Sequence, residues 1–68
     1  MRIKKEEAED IARNECERRG WLCREPIIVH QGIFSFTVRT NTRSRGGNAS
    51  IRIRKRDGAI IAAEFADR

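Results

Sequence analysis

The sequence predicts an α+β fold, one N-terminal helix packed on a three- to four-stranded antiparallel β-meander as a two-layer sandwich. Three observations carry that prediction. Residues 5–19 hold a single helical pattern closed by Gly20, the chain after Pro26 alternates apolar and polar residues, and turn residues divide that second part into four runs. With 68 residues and 7.9 kDa the chain makes a single α+β domain, 1–68, that is too small for both a core and an enclosed substrate cavity.

The helix is predicted over Lys5–Arg19. Glu6, Glu7, Glu9 and Asp10 crowd its start and Arg18 and Arg19 its end, which suits the helix macrodipole, and Gly20 supplies a left-handed stop. Its apolar stripe is Ala8, Ile11, Ala12 and Cys16, small side chains that let a helix approach a sheet closely. No Ser, Thr, Asp or Asn stands where the cap belongs, so the start is open by about two or three positions. Trp21 and Leu22 are expected to cover the edge of the core where the helix ends.

Strands are predicted over 27–30, 33–40, 49–55 and 59–65. Gln31-Gly32 reads as a two-residue turn, which sets Val29 opposite Phe34 and Ile27 opposite Phe36. For the last hairpin a three-residue loop with Gly58 left-handed is chosen over a two-residue Asp57-Gly58 turn. It sets Ile53 opposite Ile61, Ile51 opposite Ala63 and Ala49 opposite Phe65, and so separates apolar from polar residues. The helix is then expected on the face of Ile27, Val29, Phe34, Phe36, Val38, Ile51, Ile53, Ile61, Ala63 and Phe65. The open face would carry Ile28, Ser35, Thr37, Arg39, Ser50, Arg52, Arg54, Ile60, Ala62 and Glu64. The connection 41–48 is the candidate mobile loop.

Fifteen Lys and Arg face ten Asp and Glu, a net charge of +5 and a pI of about 10.2. Residues 1–25 hold seven of each sign, so the excess lies downstream. Between Arg39 and Arg56 stand Arg39, Arg43, Arg45, Arg52, Arg54, Lys55 and Arg56, with no acid among them. Arginine forks two hydrogen bonds onto a carboxylate or phosphate, so this run, with the backbone amides of Gly46 and Gly47, is the candidate binding region for an anionic partner. The plain alternative is a solvated face and a flexible hairpin loop.

No catalytic set emerges. Cys16 and Cys23 are not a C-x-x-C pair, and with His30 they offer three soft ligands where a structural zinc wants four, so neither metal nor cofactor is expected. A Cys16–Cys23 disulfide is geometrically possible, but two half-buried thiols are the plainer reading. His30 has no nucleophile placed beside it by spacing, and the acids at the helix start have no apolar pocket to raise a pKa. The N-terminal residues contain no apolar stretch that could act as a secretory signal or enter a membrane, so a cytoplasmic chain without a membrane partner is expected.

The order "EEAEDIA" at 6–12, Gly20-Trp21, "PIIV" at 26–29, Gly46-Gly47 and "IRIRKRDGAII" at 51–61 resembles the small αβββ modules of bacterial PepSY-like domains. It also resembles the short immunity proteins of the nuclear-transport-factor-type class. Phe34 and Phe36 stand where such modules often carry Trp. The resemblance implies a bacterial protein that binds and inhibits a protein partner, with no catalytic motif to carry over.

Two functions are therefore expected, neither enzymatic. The first is binding of a protein partner, suited to acidic surfaces, through the open sheet face and basic loop. The alternative is binding of a nucleic-acid backbone through Arg39–Arg56, with no aromatic on the open face to stack bases. A monomer or weak dimer fits either.

Overall fold

The computed structural model describes residues 2–42 and 46–66. The order of elements is α1 (Lys5–Arg19), β1 (Ile28–Gln31), β2 (Ser35–Arg39), β3 (Asn48–Arg54) and β4 (Ile60–Ala66), and the strands form one antiparallel sheet in the order β1-β2-β3-β4. The helix spans the residues that the sequence predicts. Lys4 is its N-cap, where Glu7 reaches back so that the Lys4 N–H donates to Glu7 Oε1 at 3.0 Å. This is half of a capping box, since a lysine side chain has no acceptor to return. Gly20 ends the helix at φ 75°, with the N–H groups of Gly20 and Trp21 donating to carbonyls of the last turn.

The core comprises Ala8, Ala12 and Cys16 from α1 and Phe36, Val38, Ala49, Ile51 and Ile53 from the sheet. The expected stripe of small side chains is therefore the contact surface. Its reach is limited, because α1 lies over β1, β2 and β3 and no Cα of the helix comes within 8 Å of one in β4. Trp21 takes over there, stacking on Phe65 with ring centroids 5.4 Å apart while the Arg19 guanidinium lies 5.1 Å from the indole centroid. Leu22 does not join it and is exposed.

Both hairpins differ from the sequence reading. Gly32 does not take the left-handed φ of a primed two-residue turn, and its N–H donates to Ser35 O at 2.8 Å across a longer connection. Val29 consequently pairs with Val38, and Gln31 with Phe36. The slip from the expected register is four residues, an even number, so every paired side chain keeps its face. Phe34 is displaced: expected in the core, it stands with Ile33 in the connection, 77% exposed. The β3–β4 connection is one residue longer than expected, running over 55–58. The Gly58 N–H donates to Arg54 O and the Arg54 N–H to Ala59 O, both at 2.8 Å, with Gly58 left-handed as predicted at φ 76°. A bulge between Arg52 and Ile53 absorbs the extra residue, so Ala49–Phe65 and Ile51–Ala63 pair as predicted while Ile53 meets Ile60 rather than Ile61. Ile60 is accordingly packed against the core and Ile61 is half-exposed.

Glu15, which a reading of apolar residues alone passes over, is buried on α1, seven residues after Ala8 on the same stripe. Arg18 Nε donates to its Oε1 at 3.0 Å, and Arg19 Nε donates to Oε2. These two hydrogen bonds, Arg18's first, hold the carboxyl down at about 2 against an ordinary 4.5. A depressed carboxyl stabilises the fold fully above its unfolded pKa and loses that contribution as pH falls through the folded one. Urea titrations are expected to show stability declining from about pH 4.5 towards pH 2, with the decline visibly shallower in Glu15→Gln.

Candidate interaction face

The helix covers one face of the sheet and leaves the other bare. Register places two rows of side chains across that open face. One runs Ile28, Arg39, Ser50, Glu64, and the other His30, Thr37, Arg52, Ala62. Arg39 thus lies beside exposed Ile28, and Arg52 beside exposed Ala62. Among the described residues neither arginine has an ion-pair partner, in contrast to Arg13, Arg18, Arg19 and Arg54. Strand alternation explains the arrangement, since residues 50, 52 and 54 of β3 face away from α1 while buried Ala49, Ile51 and Ile53 face it.

The structure divides the seven basic candidates. Arg39 and Arg52 share the bare face. Arg54 belongs to the same face but forks onto Asp57, with Nε–Oδ1 at 3.0 Å and Nη2–Oδ2 at 2.7 Å, and this fork with the Ala59 N–H lowers the Asp57 carboxyl to about 2. Lys55 turns to the helix side, 8% exposed, its ammonium 5.1 Å from the centroid of the Phe36 ring. Arg56 is exposed in the β3–β4 connection, and Arg43 and Arg45 lie outside the described residues.

Gly46 and Gly47 both have positive φ, as a tight loop requires, but their surroundings are an internal clasp. Asn41 Nδ2 donates to Gly46 O at 3.1 Å, and Asn48 Nδ2 donates to Asn41 O at 2.6 Å and to Thr40 O at 3.3 Å. This clasp engages the carbonyls of Gly46, Asn41 and Thr40. It adjoins a cleft of about 460 Å³ where Arg39, Thr42, Ser50 and Glu64 converge. At the opposite end Ile33 and Phe34, both exposed, line a second cleft of about 570 Å³ with Arg2, Lys55 and Arg56. The sequence reading missed this end because its hairpin register put Phe34 into the core.

Cys16 and Cys23 are free, and burial followed by the neighbouring Cys23 pushes the Cys16 thiol up to about 12. His30 is exposed within β1, and among the described residues no group of three or more His, Cys, Asp or Glu could hold a metal ion. No described helix is long and apolar enough to cross a membrane.

No family model matches the chain, no curated protein is significantly similar to it, and no solved structure matches it significantly.

Mass spectrometry after iodoacetamide treatment of the native protein is expected to find Cys16 unmodified. Its labelling should require denaturant, and rapid native labelling at Cys16 would contradict the burial of the thiol.

Proposed function

We propose that this chain is a non-enzymatic binding module that takes an acidic protein partner on its open sheet face. The observation that carries the reading is the pair Arg39 and Arg52, exposed, without acidic partners among the described residues, and set beside Ile28 and Ala62 on a face that nothing covers. A patch mixing guanidinium groups with apolar side chains suits a partner that brings carboxylates around an apolar centre. Arg54 is forked onto Asp57 and Lys55 is turned to the helix side, which among the described residues leaves Arg39 and Arg52 as the open-face cations without an acidic partner and supports this reading over nucleic-acid backbone binding, in which one continuous track of cations follows the phosphates. The reading agrees with what the resemblance to PepSY-like and immunity modules implies, and with a bacterial chain working in the cytoplasm.

Affinity capture with the wild-type chain is expected to enrich a partner that the Ile28→Asp/Arg39→Glu variant loses at least about tenfold, because an exposed pair of anchors is removed without touching the core. An identical set of captured proteins from both chains would contradict the proposal. Binding to a DNA duplex with a slope of log K against log salt near about −4 to −5 would favour the nucleic-acid reading instead, since that slope reports about five neutralised phosphates.

A further inference from the structure

We infer that β4 is a self-pairing edge, through which two copies of this chain join antiparallel about a twofold axis at Ala63 to make one continuous sheet. The inference is argued from the sheet edge, and Arg52 is the one residue it shares with the open-face reading. The starting point is that β4 is the longer of the two edges of the sheet and lies beyond the reach of the helix. It is an edge strand of seven residues, it pairs only with β3, and the helix that covers the other three strands does not reach it. Natural edges are guarded by lysine, proline or short length. The opposite edge, β1, has four residues and follows Pro26, whereas β4 contains no proline and no cation, and its only charge is Glu64.

Charge selects a second copy as the occupant. A twofold at Ala63 sets Glu64 opposite Ala62 of the second copy, and in that copy Ala62 pairs with Arg52 on the same open face. Glu64 and the other copy's Arg52 are then two strands apart, about 9–10 Å between backbones, with only an alanine methyl between them. Glutamate and arginine side chains span that distance over an alanine. Both groups are exposed and without an ion-pair partner among the described residues of the single chain, and the twofold makes the pairing twice. Among the described residues no like charges meet across this seam. Pairing through the open faces would instead press Arg39 and Arg52 against their symmetry mates.

The apolar side of the seam matches as well. Ala63 and Phe65, paired with Ile51 and Ala49, face the helix side beyond the reach of α1, where Trp21 stacks on Phe65, and Ile61, the extra residue of the β4 bulge, is half-exposed. In the twofold register Ala63 meets Ala63, and Ile61, half-exposed in the single chain, lies opposite Phe65 of the second copy. The small central residues allow close approach while the larger ones fill the overhang at either end, giving a cross-strand pair of aromatic and β-branched side chains.

Sedimentation equilibrium over a range of protein concentrations tests the inference, with circular dichroism to confirm that each variant is folded. The wild-type chain is expected to approach twice its 7.9 kDa mass as concentration rises. Glu64→Arg sets cation against cation at both ends of the seam and should weaken association by about tenfold or more, while the swap Arg52→Glu/Glu64→Arg should restore it. Ile61→Asp, at a side chain that is half-exposed in the monomer, should also dissociate the pair. A chain that stays monomeric at every concentration overturns the inference. Association unaffected by Glu64→Arg, or a swap that fails to restore it, overturns the register on which it rests.

Discussion

A single helix must shield a sheet of four strands, and the rest of the structure follows from how that shortage is met. The helix approaches closely because its buried stripe is Ala8, Ala12 and Cys16, so its axis can settle low over β1–β3 and bury Val38, Ile51 and Ile53 almost completely. Small side chains contribute little transfer free energy of their own. What they contribute is proximity, which excludes water from the larger sheet residues beneath them. That closeness has a lateral limit, and β4 lies beyond it.

Secondary contacts repair the margins. Trp21, just past the helix stop, stacks on Phe65 and extends cover towards β4, and Ile3 and Ile11 pack against Gly58, where their methyl groups lie 3.3 and 3.2 Å from where a Cβ would stand. Ile3 also fastens the N-terminal segment, its N–H donating to Lys55 O at 2.8 Å, while Lys55 lays its chain over Phe36. At the other end the Asn41 N–H donates to Arg24 O at 2.7 Å, tying the segment after the helix to the β2–β3 connection. None of these contacts reaches the far side of the sheet. The described residues place no second layer on the open face, and this leaves Arg39 and Arg52 exposed on a regular surface.

The helix, its stop at Gly20, the meander and the two faces were legible because each rests on local periodicity. Strand alternation has a period of two, so an even error in register leaves faces intact, and the slip at Gly32 moved Val29 from Phe34 to Val38 without turning it over. Loop lengths were not legible in the same way. They depend on side-chain bonds such as Asp57 to Ala59 and on the bulge at Arg52 and Ile53, which together decide whether Ile60 or Ile61 meets the core. The run of basic residues was visible as a run, but alternation and turn geometry scattered it, sending Lys55 to the helix side and Arg54 to Asp57. Glu15 escaped notice because only apolar residues were counted: it stands seven residues after Ala8, on the same stripe as Ile11, Ala12 and Cys16, and Arg18 and Arg19 satisfy its carboxylate there.

The close approach of α1 is tested most directly by enlarging its contact surface. Ala12 is fully buried, so Ala12→Leu adds apolar area and keeps a strong helix former, which by transfer free energy alone would stabilise the protein. If the helix is seated as closely as described, the added side chain has no space, and urea unfolding should find a loss of about 1–3 kcal/mol. Unchanged or increased stability would contradict the account, because it would mean that the helix can lift from the sheet without loss.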